Sequence, residues 1–489
     1  MVQKRSPEAS RSACLSVMQA ARADTSADAS LETSDVASVD TTIGTSIDTA
    51  IDTSVDPSVD TIVALATPPG VGGIGIIRLS GPTAARIAQD LVGPLGAPRL
   101  AAYRTFRGVD GQPIDHGIVL YFPAPASYTG EEVVELQGHG SPVALEQLIA
   151  AAVQSGARVA RPGEFTERAF HNGRIDLAQA EAVMDLIHAR TTAAARLAYH
   201  SLEGALSQAL EPLRARLHAL RVTMEADLDF GETDLDASLL QQVSERSAQL
   251  RADVLALQQR LAPVRAYTQG VRIVIAGAPN AGKSSLMNRL AAADIAIVTD
   301  RPGTTRDVLR ATVAFFGLPV ELMDTAGLHA SEDLVEQLGM QRTQAALQAA
   351  DMVLEIRDLT RPDVTVDLAL PEGIPRLVVW NKRDLVTILP ATGVAVSAWT
   401  GEGLEDLQKA VHTCLGVHAP EPQGFSVRTR HLEALARVAQ CLAPIQPNLL
   451  PELVAEQLRS AMLAMDELFG RSDPEALLGA IFADFCIGK

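Results

Sequence analysis

Residues 277–284 read Gly-Ala-Pro-Asn-Ala-Gly-Lys-Ser, following an apolar run from Val271 to Ala276 and preceding a helical pattern that starts at Ser284. A strand, a glycine-spaced loop and a helix N-terminus in that order make a phosphate-binding loop, and such a loop belongs to a doubly wound α/β sheet. The glycines let backbone N–H groups close around phosphate oxygens, and the helix dipole adds attraction for the anion. Lys283 is expected to reach the β and γ phosphates, and the Ser284 hydroxyl to coordinate magnesium. Asn280, Ala281, Gly282, Lys283, Ser284 and Ser285 are therefore candidate nucleotide-binding residues. A chance glycine-rich turn would lack the flanking strand and helix, which sets that reading aside.

Three further motifs follow in order. Asp324-Thr325-Ala326-Gly327 closes an apolar run from Val320 to Met323. It predicts a carboxylate at the carboxyl edge of the sheet, holding a magnesium-bound water, with the Gly327 N–H turned toward the γ-phosphate. Between it and the phosphate loop lies Gly303-Thr304-Thr305-Arg306-Asp307, where Thr305 would complete the magnesium shell only with the γ-phosphate present, giving a switch. A Thr-Thr pair alone is an ordinary turn; its position between the two motifs carries the reading. Asn381-Lys382-Arg383-Asp384 after the run ending at Trp380 supplies base selection. Asp384 can accept hydrogen bonds from N1 and N2 of guanine, where adenine offers no match. The Lys382 stem can lie along the base, and Ser397-Ala398 places a backbone N–H to read the guanine O6. Together these motifs predict GTP with magnesium, and its hydrolysis.

At 489 residues the chain exceeds what one core organises, so several domains are expected. Short β-branched runs at Thr61–Ala66, Ile74–Leu79, Gly117–Phe122 and Val133–Leu136 predict a compact α+β domain over 60–175. Apolar spacing of three and four residues predicts packed helices over 176–269, returning over 417–489. Between them, strands at Arg272–Ala276, Val320–Met323, Met352–Ile356 and Leu377–Trp380 alternate with helices from Ser284 and through Gln341–Ala350. The fold class expected is multidomain α+β and α/β: an N-terminal α+β domain, a discontinuous all-α helical domain, and an inserted Ras-like α/β P-loop G domain over 270–416. The run Gly70-Val71-Gly72-Gly73-Ile74-Gly75 satisfies the dinucleotide fingerprint, but a strand pattern follows it where a helix is required, so that fold is rejected.

Residues 1–59 repeat Ser, Thr, Asp and Val with almost no aromatic side chain and are expected to be disordered. Lys4, Arg5, Arg11 and Arg22 hint at a transit peptide, but Glu8 and the acidic run behind it favour a dispensable tail or a misplaced start. No apolar run reaches the ~20 residues a membrane span needs. The four cysteines, Cys14, Cys414, Cys441 and Cys486, form no CxxC pair, so a reducing cytoplasm is expected and neither zinc nor a disulfide framework is indicated. The formal charge of −18 excludes a non-specific nucleic-acid coat while leaving a local RNA site open.

Three segments outside the G domain are not features of GTPases in general: Asp60-Thr61-Ile62-Val63 through Pro68-Pro69-Gly70 to Arg78; Gly138-His139-Gly140 with Arg161-Pro162-Gly163-Glu164-Phe165; and Cys486-Ile487-Gly488-Lys489. On these the chain, from about Asp60 to its last residue, resembles the MnmE (TrmE) family of tRNA-modifying GTPases within the TrmE-Era-EngA-like group. The resemblance implies that the N-terminal domain forms a homodimer and binds a 5-formyltetrahydrofolate-type folate. It implies modification of the wobble uridine of certain tRNAs at C5 (carboxymethylaminomethyl or aminomethyl addition) in a heterotetramer with the flavoprotein MnmG. By the same resemblance Arg78, Glu135, Arg174 and Lys489 contact the folate, although solvated or ion-paired duty is the plainer reading of Glu135 and Arg174 taken alone.

Leu328 stands where many G proteins place a water-orienting Gln. The resemblance points instead to Glu336, acting through a second water; without it Glu336 reads as an exposed helix glutamate. It further implies a potassium ion held by Asn280 and the loop from Thr299 through Asp300, Arg301, Pro302 and Gly303 to Thr304, formed when two G domains meet. Arg301 stands where a small or aliphatic residue is expected, which matters little if the loop contributes carbonyls. Cys486 has two open readings, a nucleophile or a buried small residue. The competing class is a ribosome-assembly or scaffold GTPase of the Era/EngA type. The former should carry a basic RNA-binding appendage, which this acidic chain lacks.

Overall fold

The computed structural model describes residues 60–230, 237–293, 310–315, 317–324, 347–364, 373–417, 424–471, 479, 481–483, 485 and 488. The extension 1–59 lies outside them, as do Thr299–Thr305, Thr325–Gly327, Glu336, Cys486 and Lys489. Among the described residues no helix is long and apolar enough to cross a membrane.

The N-terminal part is a six-stranded sheet built from β1 (Ile62–Leu65), β2 (Gly72–Ser80), β3 (Ala102–Arg107), β4 (Pro113–Phe122), β5 (Val133–Gly140) and β6 (Arg158–Val159), in the order β3-β4-β5-β2-β1-β6. Only the short β1–β6 pair is parallel. Alternation sorts the faces: Ile77 and Leu79 of β2 and Val134 and Leu136 of β5 face a core closed by α1 (Ala84–Val92) and α2 (Pro142–Gln154). In α1 the buried positions Ala84, Ile87, Ala88 and Leu91 recur at three- and four-residue steps, the stripe a sheet-packing helix needs. The run from Gly72 is strand from its first residue, so the dinucleotide reading fails here as expected. β3 was absent from the strand pattern read above. Of its residues only Phe106 is buried, which leaves little apolar signal.

Helix α3 (Glu164–His171) starts at Gly163, which has φ +70°, and a Cβ there would lie 2.5 Å from the Phe482 carbonyl oxygen. That approach requires glycine in the Arg-Pro-Gly-Glu-Phe segment. The buried Glu164 carboxylate accepts from Arg158 (2.6 Å), Arg168 (3.0 Å) and the Arg161 N–H (2.7 Å). Burial works to raise its pKa, but the guanidinium and amide donors outweigh it and hold it at about 2.

Helix α4 (Leu177–Ile187) opens on a capping box between Asp176 and Gln179. It packs with α5 (Thr192–Leu202), α6 (Ala205–Phe230), α7 (Ala237–Gln269) and the helices Thr429–Leu442 and Pro451–Asp466. At the centre the fully buried Glu181 carboxylate accepts from Arg430 (Nη2, 2.7 Å) and pairs with His431 Nε2 at 2.8 Å. Arg428 bonds the neighbouring Asp185 at 2.6 Å. This ionic cluster joins helices 243–250 residues apart.

The second sheet contains β7 (Val271–Gly277), β8 (Arg310–Phe315), β9 (Leu318–Asp324), β10 (Met352–Asp358), β11 (Arg376–Asn381) and β12 (Val394–Ala395), in the order β12-β11-β10-β7-β9-β8. All neighbours are parallel except β8, an antiparallel edge strand that the apolar pattern did not show. Helix α8 (Lys283–Ala293) follows β7. Of the helix expected over Gln341–Ala350, residues 347 and 348 are described and are helical. The chain leaves the helices at Gln269 and returns beside the same point: Val427 N–H donates to Thr268 Oγ1 (3.2 Å) and Thr429 Oγ1 to Gln269 Oε1 (2.8 Å). The two ends of the inserted sheet thus meet, as an insertion requires.

Candidate functional site

The carboxyl ends of β7, β9, β10 and β11 lie side by side and present Gly277, Asp324, Asp358 and Asn381 at one sheet edge, where open α/β sheets bind ligands. The strand order changes direction about β7, so its following loop opens into the crevice. In that loop Asn280 has φ +63° and Gly282 φ +92°. A Cβ on Gly282 would lie 2.2 Å from Asn381 Nδ2, so the second glycine is dictated by contact with the neighbouring strand. The Lys283 ammonium, 8% exposed, curls under the loop and donates to the Gly277 (2.9 Å) and Ala278 (3.0 Å) carbonyls. Ser284 and Ser285 are exposed in the first turn of α8.

Asn381 joins the two halves of the site. Its Nδ2 donates to the Ala281 carbonyl at 2.9 Å, and its Oδ1 accepts the Ala398 N–H at 3.1 Å. Phosphate loop, β11 and the Ser397–Ala398 loop are therefore fixed to one buried amide. Asp384 Oδ1 accepts from Ser397 Oγ at 2.6 Å, which leaves the carboxylate further lone pairs for a base. Lys382, at φ +68°, anchors its ammonium on Asp358 Oδ2 at 2.6 Å. Burial tends to raise the Asp358 pKa, but Lys382 and Thr360 outweigh it and hold the carboxyl below its usual value. Arg383 pairs with Glu402 at 2.9 Å, so its side chain ties down the neighbouring loop. Asp358 was not among the residues singled out in the sequence; its signal was its place at the end of the apolar run Met352–Ile356.

At the N-terminal sheet, β2 and β5 pair Arg78 with Glu135. The guanidinium donates through Nε (3.0 Å) and Nη2 (2.9 Å) to Glu135 Oε1, and through Nη1 to the Gly488 carbonyl (3.4 Å). It lies over the rings of Tyr128 (5.5 Å) and Phe165 (5.7 Å), while Gln137 Nε2 donates to Glu135 Oε2 at 3.1 Å. Arg174 is exposed, and its stem lies against Gly130, two residues from Tyr128. Arg78, Glu135 and Gly488 thus meet, with Arg174 beside the loop that backs them. Tyr128 and Gln137 were missed, because nothing in their local sequence marks a partner on another strand or helix.

A family model described as "GTP-binding protein TrmE N-terminus" matches residues 61–174, and one described as "MnmE helical domain" matches 177–486. A "tRNA modification GTPase MnmE" of Nitrosococcus oceani is 43% identical over 88% of this chain and 97% of its own. Those of Alkalilimnicola ehrlichii and Nitrosomonas europaea are each 45% identical over 88% of this chain and 99% of theirs. Among solved structures, the G domain of the T. maritima FeoB iron transporter aligns with 29% of this chain and 98% of its own, at 21% identity and a TM-score of 0.23, a likeness too low to argue from.

Proposed function

The chain belongs to the MnmE family of tRNA modification GTPases, and from that premise we propose that it hydrolyses GTP to drive modification of the tRNA wobble uridine at C5, in the cytoplasm, with MnmG as partner. The observation that carries this reading is the Asn381 amide, which locks the phosphate loop to the loop facing Asp384. Grip on the phosphates and recognition of the base then become properties of one rigid unit.

In this reading Lys283 binds the β and γ phosphates, Asp384 accepts from guanine N1 and N2, and the Ala398 loop meets O6. The cradle fits a nucleotide: a Cβ would fill it at Gly282, and a buried ammonium lies beneath it. Ser284 and Thr305 would hold magnesium, with Asp324 reaching it through water; the bound metal neutralises phosphate charge. Glu336 orients the attacking water. Asn280, Thr299, Arg301 and Thr304 would hold potassium, which supplies the positive charge that other GTPases take from an arginine. Hydrolysis is accordingly expected to run faster in potassium than in sodium at equal ionic strength, measured as phosphate release; equal rates would remove potassium from the account.

Arg78, Glu135, Arg174 and Lys489 bind the folate in this proposal. The braced Arg78–Glu135 pair and the Gly488 carbonyl beside it support a site assembled from both ends of the chain. The outward sheet face carries Tyr103, 66% exposed, with Ile74 and Ile118, a surface suited to a second N-terminal domain in a homodimer. Domain limits of 60–175, 176–269 with 417–489, and 270–416 agree with the capping box at Asp176 and the crossing at Gln269. Mass spectrometry of tRNA from a deletion strain tests the whole: the wobble uridines of the affected tRNAs should lose their C5 groups. Unchanged uridines would leave a ribosome-assembly or scaffold GTPase.

A further inference from the structure

The chain has two tryptophans, and their settings are opposite. Trp380 in β11 is 9% exposed, donates to the Thr392 carbonyl at 2.9 Å and lies beneath Arg357. Trp399 is 85% exposed. An indole left in water forgoes a large apolar contribution, since aromatic side chains bury on the order of 150–250 Å² when packed. Its backbone, by contrast, is firmly held. Ser397 N–H donates to the Glu402 carbonyl (2.9 Å), Gly401 N–H to the Ser397 carbonyl (2.9 Å) and Thr400 N–H to Ser397 Oγ (3.0 Å). Arg289 of α8, the helix that follows the phosphate loop, donates to the Thr400 carbonyl at 2.8 Å.

Trp399 is therefore the apex of a closed six-residue loop pinned from the phosphate-loop helix. The same loop contributes Ser397 to Asp384 and the Ala398 N–H to Asn381. Hydrogen bonds at this edge address the rim of a purine and leave its flat faces to be covered. The Lys382 stem, anchored on Asp358, is one cover. We propose that the indole of Trp399 is another, stacking on the guanine base of the bound nucleotide as a further binding residue. The inference rests on the GTP reading above. Stacking needs only a π-face and is indifferent to base identity, so Trp399 sets affinity while Asp384 sets specificity.

Calorimetry with the full chain, magnesium and GDP tests it with the wild type, Trp399→Ala and Trp399→Phe. Trp399→Ala is expected to weaken GDP about 10-fold, or about 1.4 kcal/mol at one decade per 1.4 kcal/mol, within the range of base–aromatic stacking. Trp399→Phe, which keeps a ring, should stay within about threefold of wild type. The ratio of GDP to inosine diphosphate affinity reads the Asp384 contacts to the 2-amino group, and it should not change in either variant. Wild-type tryptophan fluorescence should fall on GDP addition, and Trp399→Phe should abolish that change. Unaltered GDP affinity in Trp399→Ala, or a shifted GDP/inosine diphosphate ratio, would overturn the stacking role while GTP binding stands. Absence of heat from the wild type would take down both.

Discussion

Asp384→Asn is expected to lower GDP affinity by about 10²–10³-fold and to create affinity for xanthosine diphosphate. Guanine offers two donors, N1–H and the 2-amino group, to a carboxylate that can accept both while still accepting from Ser397 Oγ. An amide retains one acceptor oxygen and turns a donor toward a donor, so one favourable contact becomes an unpaired polar group. Xanthine carries a carbonyl where guanine carries its amino group, which the new amide N–H can meet. The Ser397 hydroxyl donates and accepts, so it can follow the substitution without disturbing the loop. Calorimetry with the two diphosphates decides the matter. Undiminished GDP binding in the variant would show that Asp384 does not face the base.

The second large effect concerns stability. Glu181→Ala should cost about 3–5 kcal/mol, the range for removing one partner of a buried ionic cluster. The loss strands Arg430 and His431 inside the helical core, with Arg428 at its margin. Hydrogen exchange of amides in α4 and in Thr429–Leu442 isolates this region from the rest of a chain that will not unfold in one step. A loss below about 1 kcal/mol would reduce the cluster to packing. Acid should act in the same direction. Burial favours a neutral Glu181, but the electrostatic pull and hydrogen bonds of His431 and Arg430 prevail and hold its carboxyl far below the usual range. The stabilisation is therefore complete above the unfolded glutamate pKa of about 4.3 and is lost progressively as pH falls below it toward the folded value.

Much of the G-domain site was legible because a nucleotide imposes fixed spacing on the residues that grip it. Gly277 to Ser284 and Asn381 to Asp384 could be placed on strand ends from local sequence, and the sheet puts them there. Long-range partners were not legible. Asn381 was identified as part of a base-reading motif, yet its bond to Ala281 spans 100 residues and depends on which strands lie adjacent. Arg78 and Glu135 were named separately as folate contacts, each with a plainer alternative. Their ion pair follows from the register of β2 on β5, which no local pattern encodes. Strands β3 and β8 escaped notice for another reason. Edge strands leave much of their surface to solvent and need fewer apolar residues, so alternation weakens where the sheet ends.

The bond from Arg78 to the Gly488 carbonyl spans 410 residues. A ribosome adding roughly 5–20 residues per second delivers the first partner on the order of 20–80 s before the second. Through that interval the nascent N-terminal sheet must persist without its closing contact, its guanidinium paired only within the sheet. Translation pauses or chaperone capture downstream would then delay completion of this corner without touching the strands that form it.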